Sequence, residues 1–284
     1  MRESSAERDN LEKNPIAEAK ERLHATSIVL QQGREESSVN LFLFPDGSGS
    51  AASYAMLPEI SPYIRVYGLN CPLRENPEKL RSCSLRDFTE PYLAEIRRCQ
   101  QQGPYNLSGW SSGGIAAYEA AQQLVLQGER VEQLILIDSP NPIGLGKLPA
   151  RLFDFLEHVG VFGMAPGVPL PTGLRQRFLA IVEVLDSYVP DPFSPVRAAP
   201  RTTAIWARDG VCKNASDPRP EQRSDDPREM GWMLENRENL GPYGWDRLIG
   251  KDNVDVQYIP DANHFTLIRS PRLGRLIGQV MLSD

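Results

Sequence analysis

The sequence predicts an α/β fold, a mostly parallel sheet with helices on both faces, and three observations carry that prediction. Short, nearly continuous apolar runs alternate with amphipathic helical patterns, as strands buried on both sides require. Hydrophobic residues make up 40% and charged residues 24% of the 284, enough apolar surface for a sizeable core, so wholesale disorder and a coiled coil are excluded. About 60 residues in the second half, punctuated by glycine and proline, separate two strand-like runs, which is too long for an ordinary connection and reads as an inserted helical lid over the carboxyl edge of the sheet.

Residues 1 to 30 are polar and charge-mixed, with too little apolar surface to fold alone, and read as a linker or disordered leader before one domain spanning 31–284. Val-Asn-Leu-Phe-Leu-Phe from Val39 is a buried strand that runs into the turn Pro45-Asp-Gly-Ser-Gly-Ser. A second strand covers 64–69. Ser84 with Asp87 makes a capping signature, and Leu85, Phe88, Tyr92 and Ile96 share one face of a helix over 84–101. A short strand from Tyr105 leads to an Ala-, Gln- and Leu-rich helix over 114–127, stopped by Gly128. Val-Glu-Gln-Leu-Ile-Leu-Ile from Val131 is another buried strand, and 202–207 and 254–259 read as two more. The lid, 141–200, holds helical patterns over 148–160 and 172–188. The polar stretch 213–229 reads as a loop.

A net charge of −6, from 31 basic and 37 acidic residues without like-charge blocks, carries no basic footprint for nucleic acid. No apolar run approaches the roughly 18 residues of a membrane span. Cys71, Cys83, Cys99 and Cys212 are widely spaced with no CxxC pair, which argues against a zinc site or a disulfide framework. With no secretory pattern among the first residues, a reducing, cytoplasmic location is the expectation. The Asn106 and Asn214 glycosylation-type triplets then read as chance matches.

The chemistry concentrates at Gly109-Trp-Ser-Ser-Gly, between a predicted strand and a predicted helix. A G-x-S-x-G turn of this kind sets a serine on a sharp bend, where neighbouring backbone comes too close for larger side chains. Ser111 is the candidate nucleophile. A serine hydroxyl needs a base. His24 lies in the charged leader and His158 in an apolar lid pattern. His264 follows the last strand in Pro260-Asp-Ala-Asn-His-Phe, where an α/β-hydrolase fold places its general base. Two carboxylates could orient the imidazole. Asp138 ends the strand Leu-Ile-Leu-Ile and Asp209 ends Ile205-Trp-Ala-Arg-Asp-Gly, and both satisfy the order Ser, Asp, His. The backbone N–H of Ser112 would supply one oxyanion donor, and the turn after the first buried strand the other, with Gly47 first and Asp46 next. The glycine-rich turn lacks the ending of a phosphate loop, and no metal-ligand cluster stands out.

Phe44-Pro-Asp-Gly-Ser-Gly-Ser, Gly109-Trp-Ser-Ser-Gly-Gly, Leu136-Ile-Asp-Ser-Pro-Asn-Pro, Ile205-Trp-Ala-Arg-Asp-Gly-Val-Cys and Asn263-His-Phe together resemble the thioesterase/Claisen-cyclase domains of fungal non-reducing iterative polyketide synthases. The resemblance covers about residues 26–284. It implies an α/β-hydrolase fold with a helical lid insertion, and it moves the acid to Asp138. It also implies that the leader is an interdomain linker of a larger synthase. The expected substrate is a polyketide carried on the phosphopantetheine arm of an acyl carrier protein, with that protein and the other synthase domains as partners and no cofactor bound directly. Release from an acyl-serine would be Claisen (Dieckmann) C–C cyclisation first, with hydrolysis or pyrone and lactone formation as alternatives. Trp110, Phe153, Leu156 and Phe162 are candidate chamber residues, joined in the lid by Leu152, Phe155 and Val161, although these lid residues could equally pack the lid helices together. A free-standing esterase and a non-catalytic hydrolase-fold interaction module are the rival readings.

Overall fold

A computed structural model describes residues 23–35 and 39–283. In chain order the strands are Thr26–Gln31 (β1), Val39–Phe44 (β2), Ile64–Asn70 (β3), Tyr105–Trp110 (β4), Val131–Ile137 (β5), Arg201–Ala207 (β6) and Val254–Ile259 (β7). The helices are Pro77–Arg81 (α1), Leu85–Cys99 (α2), Ser112–Leu126 (α3), Ala150–His158 (α4), Thr172–Asp186 (α5), Arg228–Leu234 (α6), Asp246–Ile249 (α7) and Pro271–Leu282 (α8). One sheet takes the order β1-β3-β2-β4-β5-β6-β7, with β1 antiparallel to β3 and every other pair parallel.

The apolar runs alternate between two cores. Phe42 and Phe44 of β2, Leu134 and Leu136 of β5 and Trp206 of β6 meet α2 and α3 through Tyr92, Ile96, Ile115 and Tyr118. Leu41, Leu43, Ile135, Ile137 and Ile205 point the other way, onto Leu273 and Ile277 of α8. A strand covered on both faces has no polar side to show, so its sequence reads as an unbroken apolar run. Each fully buried Leu or Ile contributes about 1.5–3 kcal/mol, so the sheet centre outweighs the peripheral ion pairs, each worth about 0–1 kcal/mol.

Two sequence expectations change. The leader, expected through residue 30, ends earlier, because β1 begins at Thr26 and pairs with β3 along the sheet edge. Its Ile28 and Val29 are 46% and 47% exposed, so the strand lacks the burial signature that marks the others. Residues 1–22 of that leader lie outside the described residues. The C-terminal α8, for which the sequence reading assigned no element, starts at a Ser270 cap with Pro271 in the first turn, a start signal present in the sequence.

Between β5 and β6 lie α4 and α5, in the stretch expected as a lid, and α6 packs on α4 from beyond β6. Leu152 and Leu156 of α4 pack on Met230, Met233 and Leu234. At the rim of the lid, Arg175 bridges to Asp154 at 2.6 Å and Glu157 at 2.7 Å, and Glu183 of α5 meets Arg81 of α1 at 3.1 Å and Lys147 at 3.7 Å. Among the described residues no helix is long and apolar enough to cross a membrane.

Candidate functional site

Three strand ends set the site. Trp110 of β4 stands in register with Ile137 of β5, and Ile137 with Ile205 of β6, so the residues that follow β4 and β5 leave the sheet side by side at its carboxyl edge. Ser111 follows β4 and turns the chain into α3 with φ 58° and ψ −130°, a conformation few side chains tolerate. The bend survives because Gly113 and Gly114, just beyond it, carry no side chains. A Cβ on Gly113 would fall 2.5 Å from the Phe44 carbonyl oxygen, and one on Gly114 would fall 2.5 Å from the Ser139 side chain. Ser111 occupies the N-cap position but makes no capping hydrogen bond, which leaves its hydroxyl available.

That hydroxyl meets His264. His264 Nε2 lies 3.1 Å from Ser111 Oγ, and His264 Nδ1 lies 2.8 Å from Asp138 Oδ2. Asp138, with φ 44°, is fully buried, and its Oδ1 accepts the backbone N–H of Ala207 at 2.8 Å. Burial would push this carboxyl up, but the Arg237 charge beside it and the hydrogen bonds from His264 and Arg237 hold it below the usual carboxylate range. The rival acid has another partner: Asp209 Oδ2 sits 2.6 Å from Lys213 Nζ. His24 and His158 are exposed, unlike His264.

The turn after β2 lies against the elbow. Tyr54, 1% exposed, donates its hydroxyl to the Phe44 carbonyl at 2.5 Å and accepts the Trp110 N–H at 2.8 Å, so one side chain ties the ends of β2 and β4 together. Asp46 Oδ1 accepts from Ser48 N at 3.2 Å and Ser48 Oγ at 2.6 Å, closing the turn, while burial raises the Asp46 carboxyl. Ser112 stands in the first turn of α3, where N–H groups have no intrahelical acceptor. Asp46, Gly47 and Ser112 all line the same cavity as Ser111 and His264.

This cavity has a volume of about 450 Å³, within the range of small-molecule sites, and its walls are mostly apolar. All four candidate chamber residues, Trp110, Phe153, Leu156 and Phe162, face it. Of the accompanying three, Val161 lines it, whereas Leu152 and Phe155 belong to the contact between α4 and α6. An aromatic chain runs from the lid onto the histidine: Phe178 and Phe162 rings are 5.3 Å apart, Phe162 and Phe265 5.3 Å, and Phe265 and His264 4.9 Å. Phe178 rests on the turn after β2, since a Cβ on Gly47 would lie 2.5 Å from its ring.

Sequence reasoning missed Arg237, Tyr54, Trp232 and Phe178. Phe178 carried a signal, as part of the helical apolar pattern of the lid. Arg237 sits in Glu-Asn-Arg-Glu-Asn, which reads as a solvated loop, and its partner is 99 residues away.

Comparison with known proteins gives a consistent setting. The thioesterase domain family matches residues 39–167. The chain is 55% identical over 252 residues to the non-reducing polyketide synthase aoiG of Aspergillus oryzae, covering 89% of this chain and 12% of that protein. It is 53% identical over 264 residues to the bikaverin polyketide synthase bik1 of Gibberella fujikuroi, covering 90% of this chain and 13% of that one. The chain therefore spans about one eighth of the length of these curated relatives. Among solved structures, the NocB thioesterase domain superposes with a TM-score of 0.64 at 21% identity, over 90% of this chain and 97% of that one. The surfactin thioesterase domain SrfTE gives 0.58 at 18%, over 92% and 96%. At these identities the likeness is one of fold.

Proposed function

Because the chain belongs with the thioesterase domains of fungal non-reducing polyketide synthases, we propose that it releases a polyketide from an acyl carrier protein through an ester on Ser111. The observation that carries this reading is the hydrogen-bonded chain from Ser111 through His264 to Asp138, opening into an apolar, lidded cavity. In the first half-reaction Ser111 Oγ attacks the thioester carbonyl of the chain on the phosphopantetheine arm while His264 Nε2 takes the hydroxyl proton. Asp138 fixes the imidazole tautomer and stabilises its cation. The Ser112 and Gly47 N–H groups stabilise the oxyanion. The C–S bond then breaks, and His264 returns the proton to the departing thiol.

In the second half-reaction a methylene flanked by two carbonyls of the bound chain gives its proton to His264, and its carbon attacks the ester. A C–C bond forms, the bond to Ser111 Oγ breaks, and the proton passes back to Ser111. Apolar walls and the aromatic lid support this route over attack by water, because they exclude the competing nucleophile. The test supplies a polyketide-loaded carrier protein and identifies the product by mass and NMR. A carbocycle is the expected product, while a free acid or a pyrone would replace Claisen closure by hydrolysis or O-attack. Ser111→Ala is expected to accumulate no acyl adduct by intact-mass analysis, and an adduct on that variant would remove Ser111 from its role.

A further inference from the structure

Arg237 is 6% exposed and Asp138 fully buried, so two opposite charges share the dry interior behind the histidine. Orienting an imidazole takes one carboxylate oxygen. Here both oxygens are doubly engaged. Asp138 Oδ1 accepts from Ala207 N and from Arg237 Nη1, and Oδ2 faces His264 Nδ1 at 2.8 Å and accepts from Arg237 Nη2 at 3.1 Å. The guanidinium is itself held. Nη1 also donates to the Ala207 carbonyl at 2.7 Å, Nη2 to the Trp232 carbonyl at 3.3 Å, and the Arg237 N–H to the Arg208 carbonyl at 2.8 Å. Its face lies 4.3 Å from the centre of the Trp232 ring, which in turn meets His264 at 5.2 Å.

We propose that Arg237 is a positioning residue of the proton relay: its fork clamps the Asp138 carboxylate in the plane that faces His264 Nδ1 and keeps it anionic where water cannot. This rests on the Ser111 reading above. The ionisable groups interacting with Asp138 are Arg237, from the segment after α6, and His264, from the segment after β7, with Tyr243 near both members of the ion pair and Asp46 across the imidazole. Without the Arg237 charge, burial raises the Asp138 carboxyl, and a protonated Asp138 no longer holds the working tautomer. The acid limb of Ser111 reactivity then moves to higher pH.

The experiment measures the rate of Ser111 phosphonylation by a fluorophosphonate, read by intact mass between about pH 5 and about pH 9, in the wild type, Arg237→Met and Arg237→Lys. Arg237→Met is expected to lose about tenfold or more at the acid end relative to its own alkaline plateau, beyond any wild-type decline, since each unit of displacement costs a decade below the limb. Arg237→Lys keeps a charge but not the fork, so its limb stays in place while its plateau falls. A folded Arg237→Met with the wild-type limb would overturn the assignment and leave Arg237 a loop anchor. If that variant does not fold, a displaced limb in Arg237→Lys overturns it equally. Labelling that survives Ser111→Ala would instead defeat the nucleophile reading itself, and Arg237 with it.

Discussion

Gly109 and Gly113 touch across the elbow: a Cβ on Gly109 would fall 2.1 Å from the carbonyl carbon and oxygen of Gly113. Backbone cannot yield as a flexible side-chain tip does, so Gly109→Ala forces β4 and the start of α3 apart. We expect a loss of about 3 kcal/mol or more in urea unfolding, with Ser111 reactivity lost in parallel.

Asp138→Asn and Asp209→Asn separate the two carboxylates. The first leaves the imidazole misoriented and Arg237 buried without its anion, so we expect about 10⁴-fold lower turnover together with about 3–5 kcal/mol lower stability. The second breaks a pair whose lysine is half exposed, and we expect turnover close to wild type and a change within about 1 kcal/mol. The pH dependence of stability follows from the depressed Asp138 carboxyl. Its contribution is fully present above the ordinary carboxylate value of about 4 and is lost as pH falls through the lower native one. Acid titration of the unfolding free energy is therefore expected to be flatter for Asp138→Asn.

Tyr54→Phe deprives the Trp110 N–H of its acceptor and the Phe44 carbonyl of its donor. A buried polar group left unpaired costs about 1–3 kcal/mol, and we expect that loss in thermal unfolding. Because the same bridge holds the turn proposed to supply an oxyanion donor against the elbow, the acylation rate is expected to fall more than substrate binding weakens.

Phe178→Ala removes the ring resting on Gly47 and is expected to widen the way for water to Ser111. With a polyketide-loaded carrier protein, the share of free acid among the products is expected to rise at the expense of cyclised material. An unchanged product ratio would show that the ring plays no part in excluding water.

Much of the scaffold was legible because parallel strands buried on both faces leave continuous apolar runs, and because the elbow demands glycine at fixed places around Ser111. β1 was hidden by its exposed Ile28 and Val29, which give an edge strand no inward stripe. Asp138 and Asp209 were locally equivalent, each ending an apolar strand, and only the fold tells which one reaches the imidazole. Arg237 was invisible for a different reason. Its burial comes from two tryptophans and a carboxylate distant in the chain, and nothing in its own pentapeptide records them.

The rim of the lid is fastened by charges that water can reach, with Glu183 shared between Arg81 and Lys147 and Arg175 shared between Asp154 and Glu157. Attractions of that kind fade once dissolved ions shorten the electrostatic range to about 10 Å and below, whereas the apolar floor beneath them does not weaken. Added salt is therefore expected to loosen these exposed links first, while the buried contact between Asp138 and His264, out of reach of mobile ions, keeps its strength.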